Sequence, residues 1–236
     1  MLTWFMNSWF GRFITSSIGK KVVMALTGLF LISFLIVHLI GNLQLLSNDG
    51  QAFNEYAYFM THNPVIKATS YGLYASILLH AFQGILLWIK NRSARGPVGY
   101  AVKTNRTAGA SKASFRMGAI GTVILIFIGI HMAQFWYQTH WGSKITEVTY
   151  AGWDHPINDL YALVSFTYTN IWMVVLYVVS MVFVGFHLWH GFESAFQTLG
   201  LNHKKWTPGI KFVGRALSVS LAAGFGIIPI FMYLNQ

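Results

Sequence analysis

The stretch from Val22 to Leu46 reads VVMALTGLFLISFLIVHLIGNLQLL and contains no charged residue. A helix needs about 20 apolar residues to cross the hydrocarbon core of a bilayer, so this stretch is long enough to span a membrane. Lys20 and Lys21 precede it, as basic residues precede a signal peptide, but its apolar part is too long and no small-residue cleavage site follows. We therefore predict a retained first span.

Four further apolar stretches of similar length follow along the chain. Together they give five predicted spans, at about residues 22–46, 68–89, 117–137, 171–196 and 212–234. Residues 1–20 carry Trp4, Phe5, Trp9, Phe10 and Phe13 and are predicted to lie in the membrane interface. The short connections favour antiparallel packing of neighbouring helices. The sequence thus predicts an all-α integral membrane protein that forms a single domain over residues 1–236.

Proline positions support the limits of these spans. Pro64, Pro97, Pro156 and Pro208 fall in predicted loops, and only Pro229 interrupts a span. That fifth span has no histidine and contains Gly224 as well as Pro229, so we predict a packing helix with a kink.

Composition excludes several classes of function. Hydrophobic residues make up 55% of the chain and charged residues 9%, against about 25% charged residues in soluble domains. The chain has no cysteine, which excludes disulfides, iron–sulfur ligation and covalent haem attachment. The net charge of +10 comes from basic residues beside apolar runs, so we predict contact with membrane lipid and no nucleic-acid partner.

The basic residues also predict the orientation in the membrane. Fourteen of the sixteen lysines and arginines fall on one side of the predicted spans, and only Lys67 and Lys144 fall on the other. The fourteen are Arg12, Lys20, Lys21, Lys90, Arg92, Arg95, Lys103, Arg106, Lys112, Arg116, Lys204, Lys205, Lys211 and Arg215. Because the cytoplasmic loops of membrane proteins carry the excess of basic residues, the N-terminus is predicted to be cytoplasmic.

Histidine is the main candidate functional residue. Four of the nine histidines, His38, His80, His131 and His187, lie well inside spans, one on each of the first four. Ionisable residues inside a membrane are usually functional. At 1.5 Å per residue, His38 and His131 lie roughly 25 and 22 Å from the inner boundary and His80 lies roughly 15 Å from it. His187 lies well down a descending span, in the inner half with His80.

The directions of the spans and the depths of the histidines group the four into two pairs, His38 with His131 and His80 with His187. Spans one and three run outward and spans two and four run inward, so each couple lies diagonally across an antiparallel four-helix bundle. Two histidines at one level, facing across a core, suit bis-histidine ligation of haem iron. Glycines near the histidines, namely Gly41, Gly84 and Gly191, leave room for a macrocycle, or alternatively for close helix packing.

Other interpretations of the histidines stay open at this point. Each one alone is more often a polar side chain that bonds between helices. His187 and His190 also have the spacing of half a non-haem metal site, with Glu193 as the nearest carboxylate. Glu55, His62 and His140 lie in predicted outer loops and are interpreted as ordinary solvated residues.

The order and spacing of short motifs resemble a known family. The motifs are Thr27-Gly28-Leu29-Phe30 ahead of His38, Leu79-His80-Ala81-Phe82, the glycine-rich approach to His131, and Phe186-His187 followed by Gly191 and Gly200. Over nearly the whole chain this pattern is similar to the cytochrome b558-type membrane anchor of succinate dehydrogenase and fumarate reductase, in its single-chain, five-helix, di-haem form.

This resemblance implies a fold, cofactors and partners. His38 and His131 would hold an outer haem b, and His80 and His187 an inner haem b, in a four-helix bundle with a fifth packing helix. A flavoprotein and an iron–sulfur subunit would dock on the cytoplasmic side of a bacterial inner membrane. The chain would carry electrons between the iron–sulfur subunit and a membrane quinone, commonly menaquinone, and residues 90–116 and 204–215 would serve as docking surfaces.

Two alternative functions remain. A di-haem anchor of a hydrogenase or a formate dehydrogenase would share the four histidines. A haem-free transporter would use them as proton relays, although such proteins more often show intramembrane acids or broken helices.

Overall fold

Helices account for most of the chain. The structure is a computed structural model that describes residues 7–47, 49–95 and 117–236. The first elements are α1 (Trp9–Thr15), α2 (Ser17–Asn42), a 3₁₀ turn (Leu43–Ser47), α3 (Gly50–His62) and α4 (Pro64–Arg95). After them come α5 (Met117–His131), a π-helical segment (Met132–Trp136), α6 (Tyr137–His140), β1 (Glu147–Val148), β2 (Ile157–Asn158), α7 (Leu160–Tyr168), α8 (Ile171–Thr198) and α9 (Thr207–Leu234).

Within the described ranges, five helical stretches are long and apolar enough to cross a membrane. They cover Ser17–Ser47, Pro64–Ser93, Met117–His140, Ile171–Thr198 and Thr207–Leu234. The expectation of an all-α membrane protein is confirmed to this extent, with one addition. β1 and β2 form a short antiparallel ladder in which Val148 pairs with Ile157.

Polar residues set the helix ends. Ser16 caps α2 by accepting a hydrogen bond from the Gly19 amide at 3.0 Å, and Asn170 caps α8 through the Trp172 amide at 2.9 Å. At the other end of α8, the Leu201 amide donates to the Phe196 carbonyl, and Gly200 adopts a φ of 76°. Glycine suits this left-handed position, and α8 ends at Thr198, two residues after the predicted limit of the span at 196.

Two prolines that were predicted to lie in loops lie instead in the first turn of a helix. Pro64 is the first residue of α4, and Pro208 is in the first turn of α9. The first turn has no intrahelical partner for the missing proline N–H, so proline is tolerated there. For this reason α4 and α9 begin before residues 68 and 212. Pro97, Trp4, Phe5 and the residues of the 90–116 loop beyond Arg95 lie outside the described residues.

The helices pack around α8. It contacts α2, α5 and α9; α2 also contacts α4 and α9, and α4 contacts α5. Buried side chains from four of these helices form the core, including Ile32, Phe127, Met181 and Leu221. The glycines on α8 and α9 allow a close approach, because a Cβ atom on Gly185 would lie 3.0 Å from the Ala222 Cβ.

The opposite face of α8 carries exposed apolar side chains. Val175, Val179, Val182 and Phe186 lie three or four residues apart and are each about half exposed. An apolar stripe of this kind on a membrane-length helix is typical of a surface that contacts lipid.

Short elements that lie between the membrane-length helices in chain order pack together as a cap, which was not predicted from the sequence. α3, α7 and the β1–β2 ladder pack together around Asn54, which is 1% exposed. Its amide donates to the Tyr150 hydroxyl at 2.8 Å and to Asp159 Oδ1 at 2.9 Å, and its oxygen accepts from the Tyr161 amide at 2.8 Å. We call α3, α7 and residues 141–159 the outer cap, where outer and inner refer to the orientation predicted from the sequence.

Candidate functional site

The intramembrane histidines of α2 and α5 face each other. The ring centroids of His38 and His131 are 6.0 Å apart, with an angle of 82° between the ring planes. Phe34 stacks on His38 at 5.1 Å, and Phe225 lies 5.5 Å from the same ring. Aromatic side chains therefore surround this pair, which we call the outer pair.

The histidines of α4 and α8 form a second facing couple. The ring centroids of His80 and His187 are 6.1 Å apart, and the ring planes meet at 74°. A Cβ atom on Gly28 would lie 3.2 Å from His80 Cε1, and one on Gly121 would lie 3.8 Å from His187 Cε1. Glycine at both positions leaves room at the edges of the rings. We call this couple the inner pair.

Hydrogen bonds orient the His80 ring. The Thr27 hydroxyl donates to the Val23 carbonyl at 2.7 Å, so its oxygen is free to accept from His80 Nδ1 at 3.2 Å. In the tautomer with the proton on Nδ1, the Nε2 lone pair is available to a metal.

His131 has a comparable neighbour on another helix. The Tyr177 hydroxyl lies 3.4 Å from His131 Nδ1 and donates a short hydrogen bond to Gln134 Oε1. Tyr177 is buried, and its ring also packs edge-on against Phe127.

His38 differs from these two. Asn42 Nδ2 donates to the His38 carbonyl at 2.7 Å and lies 3.3 Å from His38 Nδ1. Because the amide nitrogen is a donor, this arrangement favours a proton on Nε2 of the free ring. Ligation through Nε2 would require that proton to leave or the ring to turn.

His187 has an unpaired nitrogen. Among the described side chains, its Nδ1 and Gln83 Oε1 are buried without a hydrogen-bond partner. A buried polar atom without a partner costs about 1–3 kcal/mol. An unpaired imidazole nitrogen in the inner pair fits a site that receives a polar group from outside the chain.

The separations within both pairs fit a shared metal ion. With metal–imidazole bonds of about 2.0–2.1 Å and ring centroids about 1.1 Å behind each nitrogen, two imidazoles on opposite sides of one ion have centroids about 6.3 Å apart. The measured 6.0 and 6.1 Å are close to this value. No group of three or more His, Cys, Asp or Glu side chains with metal-ligand geometry occurs in the part of the chain that the structure describes.

The comparisons with known proteins leave the family open. No family model, no curated protein and no solved structure matches this chain. The two histidine pairs and their neighbours are therefore the features that bear on function.

The glycines predicted to make room for a macrocycle have different surroundings. A Cβ atom on Gly191 would meet no atom within 4 Å, and one on Gly84 would lie 3.7 Å from Met24 Cε. Gly41 instead packs against the ring of Tyr56, which is a helix-packing role. Gly28 and Gly121 are the glycines that face the inner pair directly.

The alternative metal site at His187 and His190 lacks a free carboxylate. Glu193 forms an ion pair with Lys211 at 2.8 Å, so its charge is already partly neutralised by a lysine.

The polar residues expected in outer loops lie in structured elements. His62 and His140 are the last residues of α3 and α6, and both bond to a backbone carbonyl one turn earlier. Glu55, within α3, accepts a hydrogen bond from Trp153 Nε1 at 3.0 Å. These contacts give the three residues structural roles at the surface.

One carboxyl group in the outer cap has a shifted pKa. A hydrogen bond from His155 lowers the pKa of Asp154 below its ordinary value. The His155 ring also bonds to the Tyr58 hydroxyl at 3.0 Å, so this exposed group links residues 154–155 to α3.

Sequence reasoning missed the neighbours of the histidines. Thr27 lies in the motif ahead of His38, but the sequence gives it no role, and nothing in the sequence distinguishes Tyr177 or Gln134. Tyr177 is 46 residues from His131 in sequence. The signal available in the sequence was a hydroxyl-bearing residue on a predicted span that also carries a candidate ligand. Such residues are common in membrane helices, and Thr27 and Tyr177 each contact a histidine on a different span.

Proposed function

We propose that this chain is the di-haem cytochrome b membrane anchor of a succinate:quinone oxidoreductase. The observation that carries the proposal is the presence of two facing histidine pairs, with centroid separations of 6.0 and 6.1 Å. One such contact between helices is ordinary, but two pairs of one geometry on four different helices favour two equivalent cofactors.

The ligands follow from the pairs. His38 and His131 hold an outer haem b, and His80 and His187 hold an inner haem b. The two haems supply one-electron carriers within the membrane when bound. The four-helix arrangement with α9 as a fifth packing helix is part of this proposal, and the contacts of α8 with α2, α5 and α9 support it.

The chain itself orients the ligands and excludes water. The Thr27 hydroxyl can accept a hydrogen bond from His80 Nδ1–H, which would leave Nε2 as the ligating nitrogen. Apolar and aromatic side chains surround the outer pair, and burial of this kind would be one influence on the redox potential of a haem held there.

Electrons are proposed to pass between succinate and a quinone, with menaquinone as the expected species. A flavoprotein and an iron–sulfur subunit supply the dicarboxylate chemistry on the cytoplasmic side, since this chain has no cysteine to hold a cluster. The topology with a cytoplasmic N-terminus in a bacterial inner membrane belongs to the same proposal.

Basic residues near the inner ends of the helices favour a docking surface there. Lys204 and Lys205 are exposed, and Lys205 lies 5.1 Å from the Trp206 ring. Arg215 lies over Trp189 at 5.3 Å and Lys211 pairs with Glu193. Among these four residues Lys204 is therefore the better candidate for contact with an acidic partner or with lipid headgroups.

Capture of the tagged chain from native membranes in mild detergent tests the partners. We expect mass spectrometry to identify a flavoprotein and an iron–sulfur subunit. We also expect added succinate to reduce the haem of the captured complex, which is detected as a change in its absorption spectrum. Recovery of hydrogenase or formate dehydrogenase subunits would instead support the other di-haem anchors. Capture of a haem-free chain that transports a solute would support the transporter alternative.

A further inference from the structure

Three polar side chains form a connected row beside the outer pair. Gln134 Nε2 donates to Met173 Sδ at 3.1 Å, which turns the amide oxygen of Gln134 toward Tyr177. That oxygen accepts a hydrogen bond from the Tyr177 hydroxyl. The Tyr177 oxygen in turn lies 3.4 Å from His131 Nδ1. The row therefore runs from the sulfur of Met173 to the imidazole of His131.

The directions of these hydrogen bonds determine where protons lie. An amide oxygen only accepts, so the single hydroxyl proton of Tyr177 is committed to Gln134. The hydroxyl can then interact with His131 only as an acceptor, which requires a proton on His131 Nδ1. His131 Nε2 is left with its lone pair, in the tautomer that binds a metal.

Packing holds the hydroxyl in this place. Tyr177 is 5% exposed, and its ring is in edge contact with Phe127, Phe135 and Tyr168 at 5.1–6.3 Å. A ring enclosed on several sides has one orientation, so its oxygen stays beside Nδ1.

We infer that Tyr177 is the positioning residue for His131, set as a hydrogen-bond acceptor by Gln134. The inference rests on the proposed function for its redox consequence. An acceptor on Nδ1–H makes an imidazole a stronger donor to a metal and stabilises the oxidised metal. Tyr177 therefore increases retention of the outer haem and lowers its midpoint potential relative to a site without the hydroxyl.

Substitution Tyr177→Phe in the purified complex tests this role, because it removes the hydroxyl and keeps the ring. Tyr168→Phe is the matched control, since Tyr168 is equally buried and packs edge-on against Tyr177 at 5.2 Å. The readouts are the midpoint potential of each haem, from an optical redox titration, and the transfer of haem to apomyoglobin.

For Tyr177→Phe, we expect a positive shift of one haem potential, an unchanged second potential, and about 10- to 100-fold weaker retention of the shifted haem. Gln134→Leu should shift the same potential in the same direction by a smaller amount, because the hydroxyl remains but is no longer oriented. Tyr168→Phe should match the wild-type protein.

Two outcomes would overturn the inference. One is a Tyr177→Phe complex with the potentials and haem retention of the wild-type complex, and the other is an equal shift in Tyr168→Phe. Both are distinct from failure of the proposed function, which would appear as a wild-type complex without haem b.

Discussion

The four intramembrane histidines have four different neighbours. Thr27 accepts from His80, and Tyr177 lies beside His131, whereas Asn42 presents a donor to His38. His187 Nδ1 has no hydrogen-bond partner among the described residues. The imidazoles are therefore not equivalent, and substitutions at these positions should have separable effects.

Removal of His131 tests whether the two pairs are independent sites. We expect His131→Gln to lose one haem and retain the other, because the inner pair lies on α4 and α8 and shares no ligand with the outer pair. The pyridine haemochrome spectrum and the protein concentration together give the haem count. His190→Gln, on the same helix as His187, is the control and should keep both haems. Loss of both haems, or of neither, in His131→Gln would show that the pairs are not independent.

Removal of the Thr27 hydroxyl tests the orientation of His80. We expect Thr27→Val to weaken retention of the inner haem by about 10- to 100-fold, as loss of a hydrogen-bond partner of a metal-binding histidine commonly does. Haem transfer to apomyoglobin measures this. Thr122→Val is the matched control, since Thr122 bonds to the carbonyl of Gly118 four residues earlier, as Thr27 does to that of Val23. Equal retention in the two variants would argue against a role for Thr27.

The identity of the candidate ligands could be predicted from sequence, but their surroundings could not. Four histidines on four apolar spans are visible in the sequence, and helical rise places them at two depths. The proton on His131 depends on Tyr177, which is 46 residues away, and on the rotation of one helix about its axis. Apolar periodicity is too weak to fix that rotation when a span is apolar on all sides.

At the scale of elements, the outer cap is the largest departure from the sequence prediction. A search for runs of membrane length passes over helices as short as α3 and α7. Their starts were nevertheless encoded, because Asp49 and Asp159 accept hydrogen bonds from the amides of Ala52 and Ala162 as N-caps. The π-helical segment after His131 has no comparable signal, since π-helical turns are not marked by a particular residue type.

Asn54 is the residue on which the outer cap depends most. It is 1% exposed and bonds to residues of all the other parts of the cap. Asn54→Ala leaves its partly buried partners unsatisfied, at about 1–3 kcal/mol, so local opening should increase about 5- to 150-fold. The rate of tryptic cleavage at Lys144, within the cap, measures this. Asn235→Ala, at an exposed asparagine near the end of α9, is the control. An unchanged cleavage rate in Asn54→Ala would contradict this role of Asn54.

At the scale of the whole molecule, five membrane-length stretches and an exposed apolar stripe on α8 indicate a membrane-spanning protein. In sequence order, fourteen of the sixteen basic residues adjoin the same ends of the predicted spans, which predicts a cytoplasmic N-terminus. This prediction depends on composition and order alone, with no knowledge of how the helices face one another.

The absence of cysteine makes this orientation simple to test. We expect Ser143→Cys, in the outer cap, to react with a membrane-impermeant maleimide on intact spheroplasts. Asn202→Cys, in the loop between α8 and α9, should react only after the membrane is opened. Both positions are exposed, and the wild-type chain is the unlabelled control. The reverse pattern would place the N-terminus outside.

Haem stoichiometry tests the central claim most directly. The measurement is a pyridine haemochrome assay with protein quantitation on the purified complex, with circular dichroism to show that the chain is helical. The two facing pairs predict two haems b per chain. A helical, intact preparation without haem would contradict the account, and His38, His80, His131 and His187 would then be polar contacts between helices or part of a proton path.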